Sequence, residues 1–171
     1  VYQVPWLPSD FKKKEGYKKS VELSAEYGSR IEELAKDQYY FFVQWNDLRE
    51  YANSLGIEMM GDLPMYMASD SADVWAHPEM FQLDGERRPV EVSGCPPDGF
   101  SDKGQMWGNP LFDWERMKKD GYSWWISRLT SGFMLYDVIR LDHFRGFEAY
   151  YAIPAEDTDA KRGVWEKGPG I

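Results

Sequence analysis

The chain has 171 residues, a length typical of one domain with its own hydrophobic core. Its formal net charge of −9 disfavours nucleic acid and anionic membranes as partners, because both call for a basic surface. No run approaches the roughly 18 apolar residues of a transmembrane helix, so we expect no membrane partner.

The aromatic residues and the single cysteine indicate the kind of ligand and the cellular compartment. The aromatic content is 16%, with eight tryptophans and eleven tyrosines, and sugar sites stack such rings on the apolar faces of sugars. The composition therefore favours a carbohydrate partner, although the alternative is that most of these rings form the core. The single cysteine, Cys95, rules out a disulfide within the chain and fits a reducing compartment, so we expect a cytoplasmic protein.

The N-terminal third predicts an arm followed by helix. Residues 1–28 carry two prolines, a basic cluster and few apolar repeats, and we predict a surface arm or the remnant of a preceding element. Ser29 and Glu32 fit a capping box, in which each side chain satisfies an unpaired backbone amide at a helix start. Apolar residues then recur at helical spacing up to Leu55, and Gly56 supplies a left-handed stop. The pattern fits one helix or two.

A first strand is predicted directly after this helix. Ile57 to Leu63 is a short apolar run closed by Asp62 and Pro64, which indicates a buried strand with an acid at its carboxyl end. The helix-then-strand order recurs later in the chain and is typical of a parallel α/β fold. In barrels of this kind the carboxyl ends of the strands hold the chemistry, so Asp62 is a candidate site residue. The alternative is that Asp62 caps the next turn.

The middle of the chain predicts short elements and one long loop. Asp70 or Ser71 is expected to cap a short helix. The turn pair Asp84-Gly85 lies between two short apolar runs and predicts a small hairpin. Residues 93–110 are rich in Gly, Pro and Asp and show no periodicity. A loop this long in a compact domain is functional or disordered, and its embedded aromatic residues favour a functional loop.

The second helix-then-strand unit follows this loop. Asp113 is expected to cap a short helix that stops at Gly121. Apolar residues at helical spacing from Tyr122 to Phe133 predict an amphipathic helix that feeds the next strand. That strand is the run Val138–His143, which is apolar at its start and ends in a cluster of charge.

The end of this strand carries the strongest chemical signal in the chain. Alternation places Arg140 and Asp142 on one face and Ile139, Leu141 and His143 on the other. A guanidinium beside a carboxylate on a buried strand lowers the pKa of the carboxylate and keeps it ionised. A nucleophile or an electrostatic stabiliser needs that state. The alternative is a structural ion pair, since such pairs also perturb pKa values.

Three segments carry a resemblance to a known enzyme family. RLDHFRGFEAYYAIP, residues 140–154, resembles the strand and loop that carry the catalytic nucleophile in 4-alpha-glucanotransferases of glycoside hydrolase family seventy-seven. GIEMMGDLPMYMASDSADVWAHPEMF, residues 56–81, resembles an earlier barrel strand with its loop. PPDGFSDKGQMWGNPLFDW, residues 96–114, resembles the loop that closes over the sugar. The similarity runs from about Gln38 to Gly170 and keeps the motifs in the family's order.

The resemblance implies an α/β fold that forms part of a (β/α)8 TIM barrel with an inserted lid loop. We therefore expect residues 1–171 to be a partial catalytic barrel domain, with 65–112 as an inserted active-site loop region. The two predicted strands, Ile57–Leu63 and Val138–His143, are too few for a closed barrel, which needs eight. Because unpaired strand edges and bare apolar faces associate, we expect the chain by itself to self-associate.

The resemblance also implies a site. It makes Asp142 the nucleophile and Arg140 a second catalytic residue. It implies substrate contacts from Asp62, Asp98, Gln105 and Trp107. Retaining enzymes place an acid/base carboxylate roughly 5 to 5.5 Å from the nucleophile, and the family's acid/base glutamate and third aspartate lie beyond Ile171. We therefore expect this chain alone to be inactive, its partners to be alpha-1,4-glucans and maltooligosaccharides, and no metal or cofactor.

Two other functions remain open at this point. An amylase-type alpha-glucan hydrolase shares the Arg-x-Asp strand, although the segment GQMWGNP argues against it. A non-catalytic carbohydrate-binding module would account for the aromatic content and for the missing acid.

Overall fold

The computed structural model describes residues 14–170. Its helices are α1 Lys14–Ser54, α2 Ala72–Ala76, α3 Trp114–Lys119 and α4 Ser123–Leu135. Its strands are β1 Met60–Leu63, β2 Glu91–Cys95, β3 Gln105–Pro110, β4 Val138–Leu141, β5 Ala149–Pro154 and β6 Val164–Lys167. Among the described helices, none combines the length and apolar character that crossing a membrane requires.

The chain divides into two compact units. Of the described residues, the first unit contains those up to 61 together with 129–140, and the second contains 62–128 together with 141–170. Each unit is therefore built from two separate stretches of sequence.

Helix α1 is longer than the sequence predicts. It already includes Lys14, so the predicted arm is wrong over residues 14–28, and residues 1–13 lie outside the described part. The predicted capping box is also wrong, because Ser29 lies inside the helix and Glu32 pairs with Lys36 at 2.7 Å instead. This i,i+4 ion pair explains why the same residues suit a helix interior.

The end of α1 confirms the predicted glycine stop. Gly56 has φ +75°, and the Ile57 N–H donates to the Ala52 carbonyl at 3.0 Å. This left-handed residue closes the helix and satisfies a carbonyl of the last turn. The helix between Ser29 and Leu55 is therefore a single one.

Asp137 organises the first unit. Arg49 Nε and Nη2 donate to Asp137 Oδ1 at 2.9 and 2.6 Å. Asn53 Nδ2 and the Met59 N–H donate to Oδ2 at 2.9 and 2.8 Å. These hydrogen bonds, that from Met59 foremost, lower the pKa of Asp137 to about 2. The carboxylate thus ties the end of α1 to the residue before β4.

Strands β1 and β4 pair with each other. The Val138 N–H donates to the Met59 carbonyl at 3.3 Å, and the Asp142 N–H donates to the Leu63 carbonyl at 3.0 Å. Because both partners advance by four residues in the same direction, the strands are parallel, as the helix-then-strand order predicts. The predicted strand over Ile57–Leu63 starts later, at Met60.

The predicted alternation along β4 is confirmed from Ile139 to Asp142, but it ends before His143, which has left the strand. Arg140 and Asp142 are exposed, whereas Ile139, Leu141 and His143 are partly buried. The strand itself ends at Leu141, two residues before the predicted end. The expectation of a mostly buried strand is wrong for this chain, since its charged face is open.

An antiparallel sheet with the order β3-β2-β5-β6 forms the second unit. The prediction of a loop without regular structure over 93–110 is therefore wrong at both ends, where Gly94 pairs with Met106 and Cys95 with Gln105. The glycine is required here, because a Cβ at Gly94 would collide with the Gln105 carbonyl. Only the segment between β2 and β3 keeps the predicted loop character.

Local signals in the second unit are confirmed. Ser71 Oγ accepts from the Val74 N–H at the start of α2, and Asp113 accepts from the Arg116 N–H at the start of α3. The predicted hairpin around Asp84 closes with a bridge between Leu83 and Pro89.

An aromatic core fills the second unit. Its largest rings pack at centroid distances of 5.0 to 6.3 Å. They are Phe81, Phe112, Trp114, Trp124 and Trp125. Within this unit, three tryptophans remain substantially exposed, namely Trp75, Trp107 and Trp165. The aromatic content therefore serves the core first, and a few rings stay available for a ligand.

We expect Asp137→Asn to destabilise the full-length protein at pH 7. The carboxylate has a pKa of about 2 when folded and about 3.9 when unfolded, so its contribution is complete above about pH 4 and is lost as the pH falls towards 2. The variant should have a lower unfolding temperature and a flatter loss of stability between pH 4 and 2, measured by circular dichroism. Asp47→Asn, an exposed aspartate of α1, is the control. Equal stability of Asp137→Asn and wild type at pH 7 would contradict this role.

We also expect the isolated 171-residue chain to self-associate. Residues of α1 with roughly half of their surface exposed include Ile31, Leu34, Tyr39, Tyr40, Phe41, Leu48 and Tyr51. Exposed apolar patches and strand edges associate with other chains. Light scattering should give a mass above 20.0 kDa. A monodisperse 20.0 kDa species would show that these faces do not need a partner.

Candidate active site

A cavity of about 220 Å³ opens beside the end of β4, within the second unit. Its lining residues are Pro64, Met65, Tyr66, Trp107, Asn109, Asp142 and His143. They come from the segment after β1, from β3, and from the residues that follow β4. Three stretches that are far apart in sequence thus meet at one small cavity.

Asp142 contributes the charge of this cavity. It follows the last residue of β4, and its N–H extends the pairing with β1 by donating to the Leu63 carbonyl at 3.0 Å. Its side chain is exposed and lines the cavity. A backbone held by strand pairing with a side chain open to solvent suits a carboxylate that must meet a ligand.

The residue after Asp142 turns the chain sharply. His143 adopts the left-handed conformation, with φ 48° and ψ 43°, which costs energy for a residue other than glycine. The Gly146 N–H donates to the His143 carbonyl at 2.9 Å and starts the return of the chain over Met65. A Cβ at Gly146 would lie 3.0 Å from Met65 Cε, so the glycine permits this close approach.

The turn brings the His143 imidazole against two aromatic rings. It lies edge-on to Trp107 with a centroid distance of 5.0 Å, and 6.0 Å from Tyr66. Strand alternation alone predicts that His143 points away from Asp142, but the strand ends first. The structure therefore brings both residues to the same cavity.

Hydrogen bonds fix the β3 wall of the cavity. Trp107 Nε1 donates to Gln105 Oε1 at 3.0 Å, between residues that share one face of the strand. Asn109 Nδ2 donates to the Met67 carbonyl at 3.1 Å and joins β3 to the segment after β1. The orientation of the Trp107 indole is thus set by a neighbour.

Arg128 fixes the opposite wall. Its guanidinium donates to the carbonyls of Pro64 and Met65 at 2.6 and 3.3 Å and lies over the rings of Trp124 and Trp125. Burial lowers the pKa of Arg128 to about 10, which still leaves it charged at pH 7. A charged donor that also packs on the core holds this backbone segment in place.

Burial sets the protonation of two polar groups in the cavity. It raises the pKa of the Tyr66 hydroxyl and lowers the pKa of His143, against the opposing effect of Asp142. Tyr66 therefore keeps its proton and the imidazole is neutral at pH 7. Within the described part of the chain, neither Tyr66 Oη nor His143 Nε2 has a hydrogen-bond partner. Buried polar groups are normally satisfied, so a ligand with hydroxyls fits this cavity.

The residues predicted from sequence fall into three groups. Asp142 and Trp107 line the cavity, and Gln105 holds Trp107. Asp62 lies exposed on β1, and Arg140 lies exposed on β4 one alternation before Asp142.

Asp98 lies apart from these residues, in the loop between β2 and β3. Its Oδ1 accepts from the N–H groups of Phe100 and Ser101 at 2.8 and 2.9 Å, and it is not among the residues that line the cavity. The structure thus gives this carboxylate a role in its own turn.

Sequence reasoning missed five residues that line the cavity, of which Tyr66, Asn109 and His143 have polar side chains. Tyr66 follows the first strand by three residues, and Asn109 lies two residues after Trp107. Their positions beside predicted site residues were the available signal. Among residues 14–170, no cluster of three or more His, Cys, Asp or Glu side chains could hold a metal ion.

Comparison with known proteins identifies a family and several relatives. The family model described as 4-alpha-glucanotransferase matches residues 3–171. The chain is 55% identical over 133 residues to the 4-alpha-glucanotransferase of Streptococcus pneumoniae, covering 78% of this chain and 26% of that protein. It is 53% identical over 133 residues to that of Thermus thermophilus, covering 78% of this chain and 27% of that protein.

A solved structure agrees with these relatives. The amylomaltase of Streptococcus agalactiae in complex with acarbose superimposes with a TM-score of 0.79 and 43% identity, over 86% of this chain and 31% of that one. The chain thus spans about a quarter of the length of the curated relatives that it matches.

The geometry predicts that His143 titrates below pH 6.5 in the full-length protein. Burial is the main cause, so the unfolded chain takes up the proton first, and stability from this group is lost as the pH falls below 6.5. Proton NMR of the imidazole, identified by comparison with His143→Gln, measures the midpoint. A midpoint at or above 6.5 would show that the ring is solvated or paired with a charge.

Proposed function

Because the chain belongs to glycoside hydrolase family 77, the 4-alpha-glucanotransferases, we propose that it carries the nucleophile of a retaining glucan transferase. The nucleophile is Asp142. The observation that supports this assignment most directly is its carboxylate at the end of β4, open to a cavity with an indole wall and two unsatisfied polar groups. Such a mixture of ring surface and hydrogen-bonding groups fits a sugar.

The proposed reaction has two displacement steps. Asp142 attacks the anomeric carbon of an alpha-1,4-glucan, the glycosidic bond breaks, and the leaving oxygen takes a proton from a general acid. The 4-hydroxyl of an acceptor sugar then attacks the glucosyl ester, its proton goes to the same group acting as a base, and Asp142 is released. Two inversions retain the configuration of the glucosidic bond.

The remaining site residues support this step. Arg140, on the same strand face, orients Asp142. The Trp107 indole, fixed by Gln105, stacks on a sugar ring, and Asp62 contacts sugar hydroxyls. Asp98 lies outside the Asp142 cavity, and its Oδ1 is engaged in its own turn, so its Oδ2 is the atom left to contact a hydroxyl farther along the glucan. Neutral His143 and protonated Tyr66 are further groups that can hydrogen-bond hydroxyls beside the reacting carbon.

The family supports the proposed fold and the proposed ligand. The parallel pair of β1 and β4, each preceded by a helix, is consistent with two strands of a (β/α)8 barrel whose remaining strands lie in the rest of the protein. The inserted region 65–112 contributes the β3 wall of the cavity. The amylomaltase structure with acarbose supports an oligosaccharide ligand, and we propose maltooligosaccharides as donor and acceptor.

The general acid is proposed to lie outside this chain. Positioned acid/base groups contribute typically 10² to 10⁴ in rate, so the isolated 171 residues should not catalyse transfer. Activity therefore belongs to the full-length protein.

We expect Asp142→Asn in the full-length protein to reduce maltotriose transfer by several orders of magnitude. An amide cannot form the glucosyl ester, whereas the cavity keeps its shape, so maltotriose affinity should change little. Chromatography of longer maltooligosaccharides measures transfer, and calorimetry measures binding. Asp102→Asn, an exposed aspartate of the loop between β2 and β3, is the matched control.

Residual transfer above about one tenth of wild type would contradict the assignment. It corresponds to a barrier change below about 1.4 kcal/mol, too little for loss of a nucleophile.

A further inference from the structure

A second cavity lies in the same unit as the Asp142 cavity and has no part in the steps proposed above. Its volume is about 450 Å³, within the range of small-molecule sites. It is lined by Ser69, Asp70, Ser71, Ala72, Val74, Trp75, Leu83 and Arg87. We propose that this cavity, the Trp75 cavity, is a distal subsite for an alpha-1,4-glucan chain whose reacting end lies beside Asp142.

An exposed indole forms one wall. Trp75 lies on α2, whose Val74 and Ala76 are buried, and yet 54% of its own surface is exposed. Tryptophan has a large apolar face that is costly to leave in water. A glucosyl ring offers an apolar face of C–H groups, for which such an indole is the usual platform.

Polar groups of both signs form the rim. Arg87 supplies only donors and Asp70, when ionised, only acceptors, while the Ser69 oxygen, whose proton is donated to the Gly108 carbonyl, can accept. The two formal charges cancel, so the cavity does not select an anion or a cation. A neutral polyhydroxylated ligand, which both donates and accepts, matches this rim.

The position of Arg87 is specified by its turn. It adopts a left-handed backbone with φ 63°, which is unfavourable for arginine. Asp84 Oδ1 accepts from the N–H groups of Glu86 and Arg88 at 2.8 and 2.9 Å, and the Arg87 N–H donates to the Asp84 carbonyl at 3.0 Å. The turn therefore holds Arg87 at the rim before a ligand arrives.

The Trp75 cavity lies one short segment from the Asp142 cavity. Tyr66 lines the first and Ser69 lines the second, and three peptide units put their Cα atoms at most about 11 Å apart. Ser69 Oγ donates to the Gly108 carbonyl at 3.3 Å, directly after Trp107 on β3. A glucan segment bound beside Asp142 thus has the Trp75 cavity within reach of a few more sugar units.

This inference rests on the proposed glucan substrate and adds a dependence on chain length. Calorimetry with maltoheptaose and maltotriose, on the full-length protein, tests it without requiring turnover. We expect Trp75→Ala to raise the Kd for maltoheptaose about threefold to tenfold, as for loss of one aromatic stacking contact. The Kd for maltotriose should stay within twofold of wild type, because the shorter sugar fills only the Asp142 cavity.

Three further variants separate a binding role from a folding defect. Trp75→Phe keeps a ring and should retain maltoheptaose affinity within about twofold, and Arg87→Gln should weaken maltoheptaose selectively. Val90→Ala changes a residue of the same unit with the same 54% exposure but outside the cavity, and should change neither Kd. The turnover of maltotriose should be unchanged in all four variants.

The inference is overturned if Trp75→Ala and Arg87→Gln leave the maltoheptaose Kd unchanged, or if they weaken both sugars equally. A wild-type protein that transfers glucosyl units but shows this result keeps the proposed function and loses only the distal subsite. Absence of transfer with length-dependent binding intact would instead contradict the proposed function alone.

Discussion

The end of strand β4 is the point on which the candidate site depends. The Asp142 N–H continues the hydrogen bonding to β1, and the next residue leaves the strand in a left-handed conformation. The hydrogen bond fixes the backbone of Asp142. The left-handed conformation of His143 ends the strand directly after it. Because the chain turns at His143, the imidazole packs against Trp107 and Tyr66. These three rings line the cavity beside Asp142. The unfavourable backbone conformation of His143 thus places its ring in the cavity, which an extended strand would not do.

The charged groups near the end of β4 differ in their surroundings. Arg128, buried against two indoles, holds the backbone of Pro64 and Met65, whereas the Asp142 carboxylate stays open to the cavity. Burial keeps Tyr66 protonated and His143 neutral, so these two groups of the cavity are uncharged at pH 7. Transfer to a sugar instead of water requires hydroxyls to be recognised, and neutral donors and acceptors do so without attracting ions.

Features that depend on neighbouring residues could be predicted from the sequence. Features that depend on contacts between distant segments could not. The caps at Ser71 and Asp113, the stop at Gly56 and the alternation around Arg140 all depend on neighbours in sequence, and the structure confirms them. The start of α1 was missed because a pattern that suits a capping box also suits an i,i+4 ion pair.

Strands β3, β5 and β6 were missed for a different reason. Each is defined by antiparallel pairing, and β2 finds its partner β5 some sixty residues later. In the sequence, Gly94 indicates a loop. In the structure it lies in β2, where the Gln105 carbonyl comes so close that there is no room for a Cβ. The position of the proposed nucleophile, Asp142, could be predicted from sequence because one strand carries it. The cavity was only partly accessible, because Tyr66 and His143 reach it through a turn.

The central claim is that Asp142 forms a covalent bond to the sugar. Incubation of the full-length protein with a fluorinated glucosyl donor that reacts quickly and hydrolyses slowly, followed by proteolysis and mass spectrometry, tests it directly. The account predicts one added glycosyl group on the peptide that contains Asp142, attached to that carboxylate, and none on this peptide in Asp142→Asn. A glycosyl group on another carboxylate, with the Asp142 peptide unmodified, would contradict the account.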